Sequence, residues 1–175
     1  KYIETNILNT TLNGFISENI DFRGVLFIGL MIKENEAKVL EYNTRFGDPE
    51  TEVVLPRLKS DLFDIMEKTI EGTLSPDDLS WIEEKSATVI LASGGYPESY
   101  EKGKEITGLD LVEDDIIVFH GGTKLSDGKI LTDGGRVLAV TAIGKTLGEA
   151  RDKIYKNVSK INFEKIQYRK DIAKL

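Results

Sequence analysis

The chain contains no cysteine, so a disulfide framework, a thiolate nucleophile and a cysteine-ligated zinc are all excluded. It has a single histidine, His120, which excludes a histidine-rich metal cluster. Basic residues are in the minority, 23 against 30 acidic, for a net charge of −7. With no basic stripe to attract phosphate backbones, nucleic-acid binding is excluded as well. No apolar run approaches the roughly 20 residues that a membrane-spanning helix needs. The opening Lys1-Tyr2-Ile3-Glu4 lacks the form of a signal peptide. The compartment expected by default is the cytoplasm.

What remains is a chain of 175 residues, 40% hydrophobic and 30% charged, the composition of a globular protein with one medium domain or two small ones. Ile3, Ile7, Leu8, Leu12, Phe15 and Ile16 recur at helical spacing, which predicts an amphipathic helix ending between residues 14 and 19. The mid-helix character of residues 1–12 and the missing initiator methionine make an origin inside a larger protein the expectation. Strands are predicted at 25–33 and 38–43. After the Gly47-Asp48-Pro49 turn, helices are predicted at 50–58 and, capped by Ser60, up to Glu71 before Gly72. Leu62, Ile65, Met66 and Ile70 form a stripe on the second of these and are expected to be core. Ser75-Pro76-Asp77-Asp78 opens a short helix containing Leu79 and Trp81. A boundary is expected near Ser86, beyond which the pattern becomes strand-rich, with strands at 88–92, 116–120, 129–131 and 136–142. Ser126-Asp127-Gly128 is a hairpin turn joining the third of these to its predecessor. Thr146 caps a final helix to about residue 160.

The most informative stretch runs from Glu41 to Glu50. On a strand, Glu41 and Asn43 point to one face, and Arg45 continues that line if the chain stays extended. Magnesium prefers hard oxygen ligands and takes only one or two from the protein when phosphates and water supply the others, so Glu41 and Asn43 are candidate metal ligands. A guanidinium fork suits the charge spread over a phosphoryl group in transfer, which makes Arg45 a candidate catalytic residue. The same residues also compose an ordinary solvated ion pair and a turn.

Several other segments carry two readings. Ser93-Gly94-Gly95 after a strand is either a phosphate cradle or a tight turn. His120, at a strand end among glycines, is either a ligand contact or a hydrogen-bonded structural histidine. Glu113-Asp114-Asp115 is expected to be a solvated turn.

Residues 40–56, LEYNTRFGDPETEVVLP, resemble the signature of the phosphoribosylamine-glycine ligases, also called glycinamide ribonucleotide synthetases, of the ATP-grasp superfamily. Five further segments agree in order and spacing. They are Gly24 to Met31, Ala92-Ser93-Gly94-Gly95-Tyr96-Pro97, Val118-Phe119-His120-Gly121-Gly122-Thr123, Gly134 to Ala142, and Tyr168-Arg169-Lys170-Asp171-Ile172. The resemblance covers the chain from about residue 10 to its end. It implies an α+β fold: residues 1–85 as the carboxy-terminal half of an ATP-grasp catalytic domain, then residues 86–175 as a small strand-rich carboxy-terminal domain.

The activity implied is ligation of glycine to 5-phosphoribosylamine through a glycyl phosphate, with release of ADP and phosphate, in purine biosynthesis. ATP is a substrate, and Mg2+ or Mn2+ is the cofactor, held by Glu41 and Asn43. Asp48 and Glu50 fall on the loop lining the same site, as nucleotide or substrate contacts. Arg136, after a glycine pair, is expected to touch substrate or bridge domains, or else to make a surface ion pair. The amino-terminal half of the same protein is the implied partner, and the chain alone is expected not to turn over.

If residues 34–36 form a hairpin turn, Lys33 faces Ala37 and Gly29 stands opposite Glu41, where many other ATP-grasp enzymes carry a second metal-binding carboxylate. Gly29 is also consistent with a bulge. Glu52 stands where the family usually has glutamine, Gly121 where it has alanine, and Lys165 near an expected glycine. Two other functions compete: a different ATP-grasp carboxylate-amine ligase, and a non-catalytic docking module.

Overall fold

A computed structural model of the chain describes residues 1–34 and 36–174. The fold is α+β, and its contacts form two compact units. The first comprises Lys1–Gly47 and Ser60–Ser80, the second Asp48–Lys59 and Trp81–Leu175.

The first unit opens with a π-helical turn, Glu4–Leu8, that runs into α1, Asn9–Ser17. A two-stranded antiparallel sheet follows, β1 (Phe27–Lys33) and β2 (Glu36–Asn43). The turn expected at 34–36 includes Asn35, which lies outside the described residues. Lys33 pairs with Glu36 rather than with Ala37, and the ladder shifts between Gly29 and Leu30, leaving Leu40 as the extra residue of a bulge. That shift restores the expected pairing of Gly29 with Glu41.

Helix α3 spans Leu62–Glu71 and is capped by Asp61, not Ser60. The Asp61 carboxylate accepts from the Phe63 and Asp64 amides at 2.7 and 3.3 Å, while the Ser60 hydroxyl accepts from the Ser80 amide at 2.7 Å. Gly72 closes the helix at a left-handed φ of 73°, as its lack of a Cβ allows. The stripe expected to be core is not buried. Met66 and Ile70 are exposed, and Leu62 and Ile65 are half-buried. What α3 meets in its own unit is polar: Arg23 donates to the Ile70 carbonyl, and Lys68 pairs with Asp78. Next comes a single 3-10 turn, Pro76–Asp78, ending before Leu79 and short of the helix expected there.

In the second unit, the segment from Asp48 carries α2 (Thr51–Val54) and a 3-10 turn, Leu55–Arg57. The central sheet is antiparallel in the order β3 (Lys85–Ala92), β7 (Arg136–Gly144), β4 (Ile116–His120). Helix α4, Leu147–Val158, is capped by Thr146 as expected and packs on β7 and β3. Leu91, Val137, Leu138, Val140, Ile154 and Val158 form the centre of the core. β7 is buried almost throughout, because α4 and the α2 segment both pack against it. Three polar ties hold that segment: Ser86 donates to the Val53 carbonyl at 2.6 Å, Thr141 to that of Glu52 at 3.0 Å, and Arg57 to that of Glu84 at 2.8 Å.

A separate hairpin pairs β5 (Thr123–Ser126) with β6 (Lys129–Thr132). The Asp127-Gly128 turn is where it was expected, with φ of 49° and 75°, but its first strand is β5, distinct from β4. Among the described residues no helix is long and apolar enough to cross a membrane.

Candidate active site

In the first unit, Glu41 and Asn43 lie past the bulge at the end of β2, two residues apart and therefore on one face. A Cβ on Gly29 would come within 3.0 Å of the Glu41 Cγ, so glycine leaves the lane in which that side chain lies. The exposed Glu41 carboxylate has no hydrogen bond or ion pair among the described residues. The chain bends at Thr44 and Arg45 instead of staying extended. Arg45 still reaches back, its Nη2 donating to Asn43 Oδ1 at 3.4 Å while Nη1 donates to the Phe46 carbonyl at 2.9 Å.

No cluster of three or more His, Cys, Asp or Glu side chains able to hold a metal occurs among the described residues. A magnesium ion that shares phosphate and water ligands needs only one or two from the protein. A free carboxylate and an amide oxygen on one strand face fit that requirement.

In the second unit, Arg136 begins β7 and its Nη2 lies 3.2 Å from Asp48 Oδ2, an exposed ion pair across 88 residues of sequence. Both line a cleft of about 340 Å³ together with Glu52, Tyr96, Gly121 and Gly122. Glu50 stands at the start of α2, where its carbonyl accepts from the Val53 and Val54 amides at 3.2 and 2.9 Å and its side chain caps nothing. Glu52 Oε2 is buried without a hydrogen-bond partner, an unsatisfied acceptor where the resemblance expects glutamine.

The glycine pairs are packing devices. A Cβ on Gly122 would lie 2.6 Å from Gly134 Cα, and one on Gly135 would lie 2.2 Å from the Tyr96 ring. Ser93-Gly94-Gly95 is a tight turn: the Tyr96 amide donates to the Ser93 carbonyl at 3.1 Å, and Gly95 takes φ of 99°. The Ser93 amide and hydroxyl are engaged by Gly135 and Gly134 at 2.8 Å each, so neither is free to cradle a phosphate. His120 is exposed, its Nδ1 3.0 Å from Thr123 Oγ1.

The acidic run is more than a solvated turn. Glu113 is gripped by Lys156, Asn157 and Lys160, and the Lys156 ammonium first among these pulls its carboxyl from 4.5 to about 2. No role was read from the sequence for Tyr96 or Gln167, and Glu52 stood out there only as a departure from glutamine. The paired glycines at 121–122 and 134–135 were the signal available, since two such pairs permit the backbones to interlock.

Comparison with known proteins matches two segments of the chain. Residues 86–175 match the family described as phosphoribosylglycinamide synthetase, C domain, and residues 1–51 the ATP-grasp (A) domain of the same enzyme. The chain is 48% identical over 171 residues to a phosphoribosylamine-glycine ligase of Caldanaerobacter subterraneus subsp. tengcongensis, covering 98% of the chain and 41% of that protein. It is 49% identical over 173 residues to the trifunctional purine biosynthetic protein adenosine-3 of Gallus gallus, covering 98% of the chain and 17% of that protein. A crystal structure of phosphoribosylamine-glycine ligase from Thermotoga maritima superimposes with a TM-score of 0.80 at 37% identity, over 93% of this chain and 40% of that one. The chain thus spans about two fifths of the length of the single-function ligases it matches.

Proposed function

The chain belongs to the phosphoribosylglycinamide synthetase family, and from that premise we propose that it forms part of an ATP-dependent ligase joining glycine to 5-phosphoribosylamine. The activity is assigned to a full-length ligase that carries these residues, with residues 1–85 as the later half of its ATP-grasp domain and 86–175 as its C domain. A cytoplasmic location belongs to the same proposal.

The chemistry is two displacements. A glycine carboxylate oxygen attacks the terminal phosphorus of ATP and ADP leaves. The amine nitrogen of phosphoribosylamine then attacks the glycyl carbon, the C–N bond forms, the C–O bond to phosphate breaks, and the nitrogen gives up one proton to the departing phosphate or to water. Glu41 and Asn43 supply two oxygen ligands for Mg2+ or Mn2+. When bound, such an ion neutralises charge on transferring phosphate oxygens. Arg45 adds a fixed cation beside Asn43, held from behind by the Phe46 carbonyl. Asp48, Glu50 and Arg136 are assigned to substrate or nucleotide binding.

The observation that carries this reading is the lane that Gly29 leaves for a Glu41 carboxylate without a protein partner. Its test is ADP release by the full-length protein with magnesium, ATP, glycine and fresh phosphoribosylamine, omitting each in turn. Dependence on both glycine and phosphoribosylamine is expected, and Glu41→Ala or Asn43→Ala should lower turnover at least a hundredfold while leaving the circular dichroism spectrum unchanged. Full activity in both variants would remove the metal assignment. Release that needs bicarbonate or formate instead of glycine would reassign the chain to another ATP-grasp ligase.

A further inference from the structure

Helix α2 is four residues long, and its sequence leaves it one hydrogen bond short. The Glu50 carbonyl accepts from the Val54 amide at 2.9 Å, and the Thr51 carbonyl accepts from that of Leu55. The next acceptor, the Glu52 carbonyl, would take the amide of residue 56, which is proline and has no N–H. Thr141 supplies the missing donor, its hydroxyl bonding the Glu52 carbonyl at 3.0 Å.

That donor is built into the sheet. Thr141 lies on the central strand β7 at 0% exposure, and Thr88, its cross-strand partner on β3, has its hydroxyl 2.8 Å away. Ser86, two residues before Thr88 and so on the same face, donates to the Val53 carbonyl at 2.6 Å. The residues alternating with these, Ala87, Val89, Val140 and Ala142, belong to the hydrophobic core together with Ile154 of α4. The hydroxyls of Ser86, Thr88 and Thr141 therefore stand on the face where the α2 carbonyls arrive. A buried hydroxyl and a carbonyl that lack other partners define one docked position, whereas apolar contact alone would tolerate sliding.

The segment so held begins at Asp48, the first residue of the second unit after Gly47. Glu50 precedes α2 and its carbonyl closes the first turn, so fixing the backbone at Glu52 fixes that of Glu50 and, through Pro49, of Asp48. The Asp48–Arg136 ion pair is a poor anchor by itself, since it is exposed and water competes for both partners.

We propose that Thr141 is a positioning residue for the reaction: its hydroxyl, standing in for the amide that Pro56 lacks, sets the place of Asp48 and Glu50. Being fully buried, it acts through the backbone of Glu52 and not on a ligand. The binding roles of Asp48 and Glu50 rest on the function above, so the anchor and the reaction are tested separately.

The anchor is read in the isotope-labelled 175-residue chain by amide exchange in NMR. Thr141→Val keeps the branched shape and removes the hydroxyl, so the Val53 and Val54 amides should exchange about tenfold faster while those of Ile154 and Val158 in α4 keep their rates. Thr141→Ser, which restores the hydroxyl, should return Val53 and Val54 to within about twofold of the original rates. Ser86→Ala, which frees the Val53 carbonyl without touching a fully buried residue, should act in the same direction as Thr141→Val. Acceleration spread equally over α4 in both Thr141→Val and Ser86→Ala, or none at Val53 and Val54, would overturn the anchor.

In the full-length enzyme, KM for ATP, glycine and phosphoribosylamine is measured for Asp48→Asn, Thr141→Val and the double variant. The KM that rises in Asp48→Asn should rise about threefold to tenfold in Thr141→Val with the other two unchanged, and the double variant should fall well short of the product of the single effects. A fall in kcat alone, or effects that multiply, would make Thr141 merely structural and overturn the proposal. Turnover that needs neither glycine nor phosphoribosylamine, with the exchange response intact, would discard the function and keep the anchor.

Discussion

The two units are built from similar residues and differ in what those residues bury. The second closes a core over a three-stranded sheet and α4, with Leu91, Val137, Val140 and Ile154 at 0% exposure. In the first, Ile7 is the one buried hydrophobic side chain among the described residues, while Ile16, Leu40, Phe63 and Ile70 are each more than 60% exposed. A two-stranded sheet presents too little surface to close a core of its own, whereas a third strand and a packed helix suffice. Burial here follows the apolar surfaces present within these 175 residues, which span about two fifths of the length of the ligases the chain matches. What decides it is whether a second apolar face lies within reach.

Truncating side chains puts that contrast at risk most directly. Leu138→Ala removes a side chain at 1% exposure and should cost about 2–5 kcal/mol in denaturant unfolding. Met66→Ala, at 44% exposure, should cost less than about 0.5 kcal/mol. Equal losses would mean that α3 has a packed face after all.

Glycines give the next largest difference, and here the sign should reverse. A methyl on Gly122 meets Gly134 Cα at 2.6 Å, so Gly122→Ala should destabilise by about 1–3 kcal/mol. Gly14 lies inside α1 with nothing within 4 Å of a Cβ, so Gly14→Ala should stabilise by about 0.5–1 kcal/mol. Thermal melts of the two variants would show the midpoint moving in opposite directions.

Charge gives the smallest effect. The Glu113 carboxyl is held down to about 2 from 4.5, chiefly by Lys156, and Asp78 is lowered from 3.8, chiefly by its hydrogen bond from Lys68. Both are depressed acids, so each contributes stability that is present above its unfolded value and lost as pH falls through the folded one. Melting profiles between pH about 4.5 and about 2 should therefore flatten in Glu113→Gln, and flatten less in Asp78→Asn. Glu113 draws on two lysines and an amide, whereas Asp78 faces one lysine. A larger change from Asp78→Asn would reverse the ranking of the two networks.

Local chemistry was legible in the sequence. Thr146 caps α4, Gly72 ends α3 and Asp127-Gly128 turns a hairpin. Each depends on a residue's own backbone preference or on strand alternation. The choice of Asp61 over Ser60 as cap was not legible, because it turned on Ser60 being occupied by an amide 20 residues away. The register at Lys33 was hidden by a bulge that adjacent residues do not announce.

The candidate site divides in the same manner. Glu41, Asn43 and Arg45 are near neighbours on one strand and its bend, so their grouping follows from spacing. Arg136 and Asp48 are 88 residues apart, and their ion pair exists because β7 lies in the centre of the sheet and the α2 segment is tied to that sheet by Ser86, Thr141 and Arg57. The sequence alone determined most of the elements and a strand carrying a carboxylate and an amide oxygen on one face, since backbone sterics and alternation act over a few residues. Only the tertiary structure decided which apolar stripes were buried, which glycines interlocked, and that Arg136 meets Asp48, since these depend on surfaces brought together from distant parts of the chain.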